Sequence, residues 1–213
     1  MTDVIRVQEV EAAVQRIAAR LVAERNQLNE LDAALGDGDT GVTAGKIAVA
    51  LETYLKENPA ISQTDLGKWL AQMGMAVNRA APSTLGTLTA TALMRMGKAV
   101  LGRCDLDAPA LALLLQAADG GVQERGKARL GDKTIVDALH PAAEAFAGAI
   151  GRGAGLQEAG QAMLQAARQG RDLATSQQGK IGRAGWLGER TAGNPDPGTV
   201  MLVAVLEAIL NME

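Results

Sequence analysis

Three carboxylates fall within eight residues in the segment Leu31-Asp32-Ala33-Ala34-Leu35-Gly36-Asp37-Gly38-Asp39-Thr40-Gly41. Like charges at that density repel unless solvent or a cation relieves them. Carboxylate oxygens with few neutral donors suit a hard cation, magnesium or calcium. Gly36, Gly38 and Gly41 let the backbone turn tightly and leave N–H groups free. Thr40 and Thr43 add hydroxyls where a helix should begin, and a helix N-terminus favours phosphate. Metal plus phosphate is therefore a self-consistent reading. The plainer one is a solvated acidic turn whose aspartates cap helices. Three familiar motifs do not fit. Gly36 to Gly41 matches G-x-G-x-x-G, but a dinucleotide loop needs a preceding strand, and a long polar helix precedes here. Gly45-Lys46 is followed by Ile47 and stands one residue too close to Gly41 for a phosphate loop. An EF-hand counted from Asp37 would place Ala48 at its acidic twelfth position.

Two further loops carry charge and glycine. Arg125-Gly126-Lys127-Ala128-Arg129-Leu130-Gly131-Asp132-Lys133-Thr134 sets four basic residues between helices, and alone it reads as a solvated basic turn. Asp132 or Thr134 is expected to cap the helix that follows. Gly179 to Gly198 is a long stretch without helical periodicity, which is uncommon inside a compact domain and often functional. In it Arg183 and Arg190 could face phosphates. Trp186 could cover a base, although packing of the loop is its simpler role.

These loops need a scaffold, and the apolar periodicity supplies one. Val4, Val7, Val10, Ala13, Ile17 and Leu21 recur at helical spacing, which predicts a helix over Val4 to Asn29 capped by Thr2 or Asp3. Further helices are expected over Thr43–Glu57, from Ser62 or Thr64 to Ala80, over Thr84–Leu101, Ala108–Gly126, Thr134–Ile150, Leu156–Ser176 and Gly198–Asn211. No segment combines strand alternation with β-branched enrichment. The expected fold class is all-α, an antiparallel eight-helix bundle or barrel, in a single domain over residues 1–213.

Composition removes several functions. The aromatic fraction is 2% and the net charge −3, so the clustered cations and stacking rings that nucleic acid needs are missing. The single cysteine, Cys104, gives no disulfide framework and reads as a packed or surface thiol. His140, the single histidine, excludes a His-rich metal site and reads as structural or surface. Met73, Met75, Met94 and Met96 read as core filler. Met1 to Glu11 lacks a basic-then-apolar signal pattern, and Val200 to Leu206 is too short to span a bilayer. A cytoplasmic protein without membrane contact is expected.

The three loops together resemble one family. Asp32-x3-Gly-Asp-Gly-Asp-Thr-Gly, then Arg-Gly-Lys-x3-Gly-Asp-Lys-Thr, then Gly-Arg-Ala-x-Trp-Leu-Gly-Glu-Arg and Asp196-Pro197-Gly198 look, in this order, like the L-type nucleotide-binding subunit of dihydroxyacetone kinases. The resemblance covers nearly the full chain. It implies an eight-helix barrel with up-and-down helices. It implies that Asp32, Asp37 and Asp39 bind two magnesium ions bridging the phosphates of ADP or ATP, and that Thr40, Gly41, Val42 and Thr43 cradle phosphate. Ala80 and Ala81 would touch the nucleotide, Gly126 and Ile135 would lie beside the adenosine, and Arg183 with Asp196, Pro197 and Gly198 would close the site. Arg183 would be the catalytic cation. The ketose would sit on a separate K-type subunit, and a phosphocarrier subunit of the phosphotransferase system is a further possible partner. Two positions depart from the family pattern. Thr40 stands where bacterial kinase members often carry His. The Gly- and Ser-rich stretch near residue 80 reads Asn78-Arg79-Ala80-Ala81-Pro82-Ser83-Thr84-Leu85-Gly86-Thr87, where Ser83 or Thr84 would substitute.

The expected activity is thus phosphoryl transfer to dihydroxyacetone or a related ketose such as erythrulose, as half of a two-part enzyme. A nucleotide-dependent regulatory module is the alternative from another class. A helical barrel holding lipid is the third.

Overall fold

A computed structural model describes residues 4–59 and 65–211. The expected first helix is interrupted. A turn at Glu24 divides it into α1 (Val7–Ala23) and α2 (Arg25–Leu35), and α2 runs past Asn29 to the aspartate loop. Ahead of α1, the two-residue strand β1 (Ile5–Arg6) pairs antiparallel with β2 (Asp105–Leu106), a ladder too short to leave a periodic signal. α3 (Thr40–Glu57) begins three residues earlier than its apolar pattern suggests. α4 (Leu66–Ala80) is capped by Asp65, whose carboxylate accepts the Lys68 N–H at 3.0 Å. The expected caps Thr2, Asp3, Ser62 and Thr64 lie outside the described residues. α5 (Thr84–Ala99), α6 (Ala108–Gly126), α7 (Val136–Gly151), α8 (Leu156–Ser176) and α10 (Pro197–Ile209) follow. Ser83, Asp107 and Asp196 cap α5, α6 and α10 through their side chains. The stretch without periodicity contains the short helix α9 (Gly182–Leu187) and a 3-10 turn over Gly188–Thr191.

Taking α1 and α2 as one bent helix and setting the short α9 aside, the long helices form a closed ring. α1 packs on α3, α3 on α4, α4 on α5, and so on to α8, which packs on α10, and α10 returns to α1. The expected eight-helix barrel is therefore present. Two apolar clusters fill it. One joins α1, α3, α4 and α5 around Leu28, Ile47, Trp69, Met73 and Val77. The other joins α6, α7, α8 and α10 around Val136, Phe146, Leu164, Ala167 and Val203. Ile135 and Leu111 pack against both. Trp69 is fully buried, with its indole N–H on the Asn58 carbonyl at 2.9 Å and its ring centroid 6.1 Å from that of Tyr54. Met75, expected in the core, is exposed, because it faces the groove between α3 and α4. Cys104 is exposed. Among the described residues, no helix is long and apolar enough to cross a membrane.

Candidate functional site

An up-and-down ring brings alternate helix starts to one mouth of the barrel. α3, α5, α7 and α10 begin there, and α2, α4, α6 and α8 end there. A cavity of about 520 Å³ opens at that mouth, lined by residues from each of these starts and by the three charged loops. That volume is in the range of a small-molecule site. Each helix start adds a partial positive charge to the mouth, while side chains take several of its N–H groups: Asn29 at α3, Ser83 at α5, Thr134 at α7 and Asp196 at α10.

On one wall stands the aspartate loop. Asp32, Asp37 and Asp39 each present a carboxylate oxygen within 4.8 Å of the others. Asp37 and Asp39 are exposed. The Asp32 carboxylate also accepts the N–H groups of Asp39 at 2.8 Å and Thr40 at 3.0 Å, which folds the loop against the start of α3. Gly38 turns the loop at φ +77°, a conformation that suits glycine. Asn29 completes the join by accepting the Val42 N–H at 3.1 Å. The donor set is all hard oxygen, gathered and partly solvated, and it fits magnesium. Beside it Thr40, Thr43, Ser83 and Thr84 line the cavity, and the Thr43 hydroxyl donates to Ser83 Oγ at 3.3 Å.

A second wall is built differently. Gly126, Ala128, Lys133, Thr134, Ile135 and Val136 come from the α6–α7 connection. Ile181, Gly182, Ala184 and Asp196 to Gly198 come from the stretch after α8. Asp137 shapes the first loop from inside. Its buried carboxylate accepts the Gly131 N–H at 2.6 Å and the Thr134 N–H at 2.8 Å, while Thr134 Oγ1 accepts the Val136 N–H. Thr134 thus takes the first N–H of α7 from one residue before the N-cap, Ile135, whereas the Asp132 carboxylate accepts the Arg129 N–H. Lys133 is 2% exposed. Loss of hydration lowers its pKa, and the nearby Asp196 and Asp137 carboxylates oppose that shift. Asp196 is pushed up to about 7, chiefly by loss of hydration and secondarily by the Asp137 carboxylate, against the Thr199 N–H and Lys133.

Most of the expected site residues meet at this mouth. Asp32, Asp37, Asp39, Thr40, Thr43, Gly126, Ile135, Asp196, Pro197 and Gly198 line the cavity. Gly41 and Val42 do not line it: Gly41 packs on Arg25 of α2, and the Val42 N–H is held by Asn29. Ala81 is fully buried in the first apolar cluster, and Ala80 opens on the groove between α3 and α4. The stretch from Pro82 to Leu85 lines the cavity in their place. Arg183 lies in α9 between the lining residues Gly182 and Ala184; its side chain is outside the described structure. Trp186 does not pack its loop: it is 91% exposed. His140 lies away from the mouth and bonds Asp119 at 2.8 Å, bridging α7 to α6. Sequence reasoning missed the roles of Lys133 and Asp137. The spacing Thr134-x-x-Asp137 carried a capping signal for the second, and a loop lysine gives no sign of burial.

A closed ring of antiparallel helices with a charged, acid-rimmed cavity at one mouth is the class that fold and cavity define. The chain belongs to the DAK2-domain family, whose model matches residues 34–211. It is 30% identical over 195 residues to the ADP-binding subunit DhaL of the PEP-dependent dihydroxyacetone kinase 1 of Listeria innocua, covering 91% of this chain and 90% of that one. It is 34% identical over 212 residues to an L-erythrulose kinase of Pectobacterium atrosepticum, covering 93% of this chain and 35% of that protein. The crystal structure of the dihydroxyacetone kinase from C. freundii in complex with AMP-PNP and Mg2+ is similar at a TM-score of 0.71 and 25% identity, over 96% of this chain and 34% of that chain. The chain spans about a third of the length of the longer relatives it matches.

Proposed function

We propose that this chain is the nucleotide-holding part of a ketose kinase. It would bind ADP or ATP with two magnesium ions on Asp32, Asp37 and Asp39, and act with a separate K-type subunit that holds dihydroxyacetone or a related ketose such as erythrulose. The observation that carries this reading is the meeting of three carboxylates with four helix starts at one cavity. Magnesium there would neutralise the phosphate oxygens. Thr40, Thr43 and Ser83 would bind and orient the phosphates, in the favourable field of the helix starts. Ile135, Val136 and Ile181 would give the base an apolar seat. Arg183 is proposed as the cation on the transferred group, since such catalysis is mainly positioning and electrostatics. The exposed Trp186 and Leu130 belong to loops at the same mouth and offer an apolar rim to a second protein. This reading also places the protein in the cytoplasm.

Calorimetric titration of ADP, with and without magnesium, on the wild type and on Asp37→Ala tests the site. Magnesium should tighten binding to the wild type by roughly a hundredfold and leave the variant nearly unmoved. Equal affinity in all four combinations refutes the metal-bridged site. With a K-type partner, turnover of dihydroxyacetone and of erythrulose by Mg-ATP distinguishes direct transfer from a form recharged by a phosphocarrier. Nucleotide binding with no transfer by either route favours the regulatory module.

A further inference from the structure

We propose that Lys133 is a positioning residue: it clamps the neck of the loop over residues 177–193 and so holds one wall of the nucleotide site in place. The inference rests on the nucleotide-site reading and concerns a residue to which that reading gives no role. A lysine ammonium has three N–H donors. The Lys133 Nζ lies 3.1 Å from the Ala174 carbonyl, 3.0 Å from that of Thr175 and 3.0 Å from that of Gln177, so all three donors find acceptors where α8 ends. A cation at a helix C-terminus also faces the negative end of its dipole.

The carbonyl of Thr175 marks both ends of the loop. It receives Lys133 as the chain leaves α8, and it receives the Gly193 N–H at 2.8 Å as the chain returns. Inside the loop, fully buried Thr191 accepts the Gly179 N–H at 2.8 Å and donates to the Gly188 carbonyl at 2.7 Å. The Lys180 N–H reaches the Asp132 carbonyl at 3.2 Å, next to Lys133 in the chain. One residue of the α6–α7 connection therefore binds the neck, and its neighbour binds the loop. Ile181, Gly182 and Ala184, within this loop, line the cavity, and Asp196 to Gly198 follow directly after its neck. Lys133 sits at φ +59°, a conformation that persists for a residue with a side chain only where surrounding contacts over-determine it.

Two of the three carbonyls have a second donor. Without the ammonium, the Ala174 carbonyl keeps the Gln177 N–H and the Thr175 carbonyl keeps the Gly193 N–H. Lys133→Met should therefore fold and loosen locally. Amide exchange of the nucleotide-free protein should rise over residues 177–193 and stay unchanged over α3, α4 and α5. Affinity for Mg-ADP should fall roughly tenfold or more, because the wall is no longer pre-organised. Lys133→Arg, which keeps charge and donors, should recover part of both. Unchanged exchange over 177–193 in folded Lys133→Met overturns the proposal. So does a rise shared by every helix, or an unchanged Mg-ADP affinity beside a loosened loop. If Lys133→Met lacks the helical signal of the wild type, Lys133→Gln takes its place in the same comparison. A wild type that does not bind Mg-ADP refutes the nucleotide-site reading, and the exchange comparison still decides whether Lys133 clamps the loop.

Discussion

The two walls of the cavity are held by different kinds of contact. On the aspartate wall, the bonds that shape the loop join residues near in sequence, and one longer-range bond, Thr43 to Ser83, ties the start of α3 to that of α5. Asp32 reaches Asp39 and Thr40, and Asn29 reaches Val42, thirteen residues on. On the second wall, Lys133 reaches carbonyls 41 to 44 residues away, and Gly193 returns eighteen residues to Thr175. The first wall forms as part of a helix–loop–helix unit. The second exists only once α6, α7 and α8 have packed. A rigid local wall suits the metal and phosphates, which need fixed ligands. A wall assembled from loops suits the part of a ligand that must enter, leave and meet a partner.

The sharpest way to break this contrast is at Gly41. A Cβ there would lie 1.9 Å from the Arg25 carbonyl and 2.6 Å from Asn29 Oδ1, because the first turn of α3 touches α2. The Arg25 carbonyl cannot yield without moving a helix, and Asn29 yields only by giving up the Val42 N–H. Gly41→Ala is expected to lower stability by about 2–4 kcal/mol, the scale of overpacking a close helix contact. Denaturant unfolding measures it. A loss below about 0.5 kcal/mol, the ordinary range of a surface change, would mean that this wall is as pliable as the other.

The same contrast explains what the sequence revealed. The aspartate loop was readable because its chemistry and its geometry occupy one short segment. Amphipathic periodicity placed α6 and α8 to the residue and gave the ring its long members. It did not disclose the turn at Glu24, since the apolar positions continue across it in register. Nor did it disclose β1 and β2, which are two residues each. Contact from Ala80 and Ala81 was expected by resemblance. The packing turns Ala81 into the core, and Ser83 instead meets the cavity at the start of α5. Lys133 was visible as a charge in a basic turn. Its burial depends on where α8 ends, which no property of residues 125–134 contains.

Asp196 tests the second wall through pH. Its folded pKa, about 7, stands above the ordinary carboxyl value of 3.8. The folded state therefore holds this proton more tightly than the unfolded chain. The resulting stability is fully present below about pH 4, is lost as pH rises towards 7, and is flat beyond. Asp196→Asn keeps an oxygen for the Thr199 N–H and does not titrate. The variant should gain on the wild type by about 2 kcal/mol between pH 5 and pH 8, since a tenfold difference in proton affinity between the folded and unfolded states is worth about 1.4 kcal/mol. Urea melts of both proteins at the two pH values, with chelator present, give the difference. A constant gap would mean that the wall leaves Asp196 hydrated, and that it is open rather than assembled in the free protein.

The smallest effect on the chain itself is expected at Trp186. At 91% exposure the side chain contributes little to the fold, so Trp186→Ala should change stability by less than about 0.5 kcal/mol. Its placement makes it informative nonetheless. α9 lines the cavity through Gly182 and Ala184 while Trp186 is left to solvent. An exposed tryptophan is a strong anchor when a second protein covers it. The expected result is unchanged Mg-ADP affinity with binding to a K-type partner weakened by roughly tenfold or more. If nucleotide affinity falls instead, Trp186 swings inward over the base, and the loop wall is a lid that the nucleotide closes. If neither changes, the partner approaches from the aspartate side, and the division of labour between the two walls is reversed.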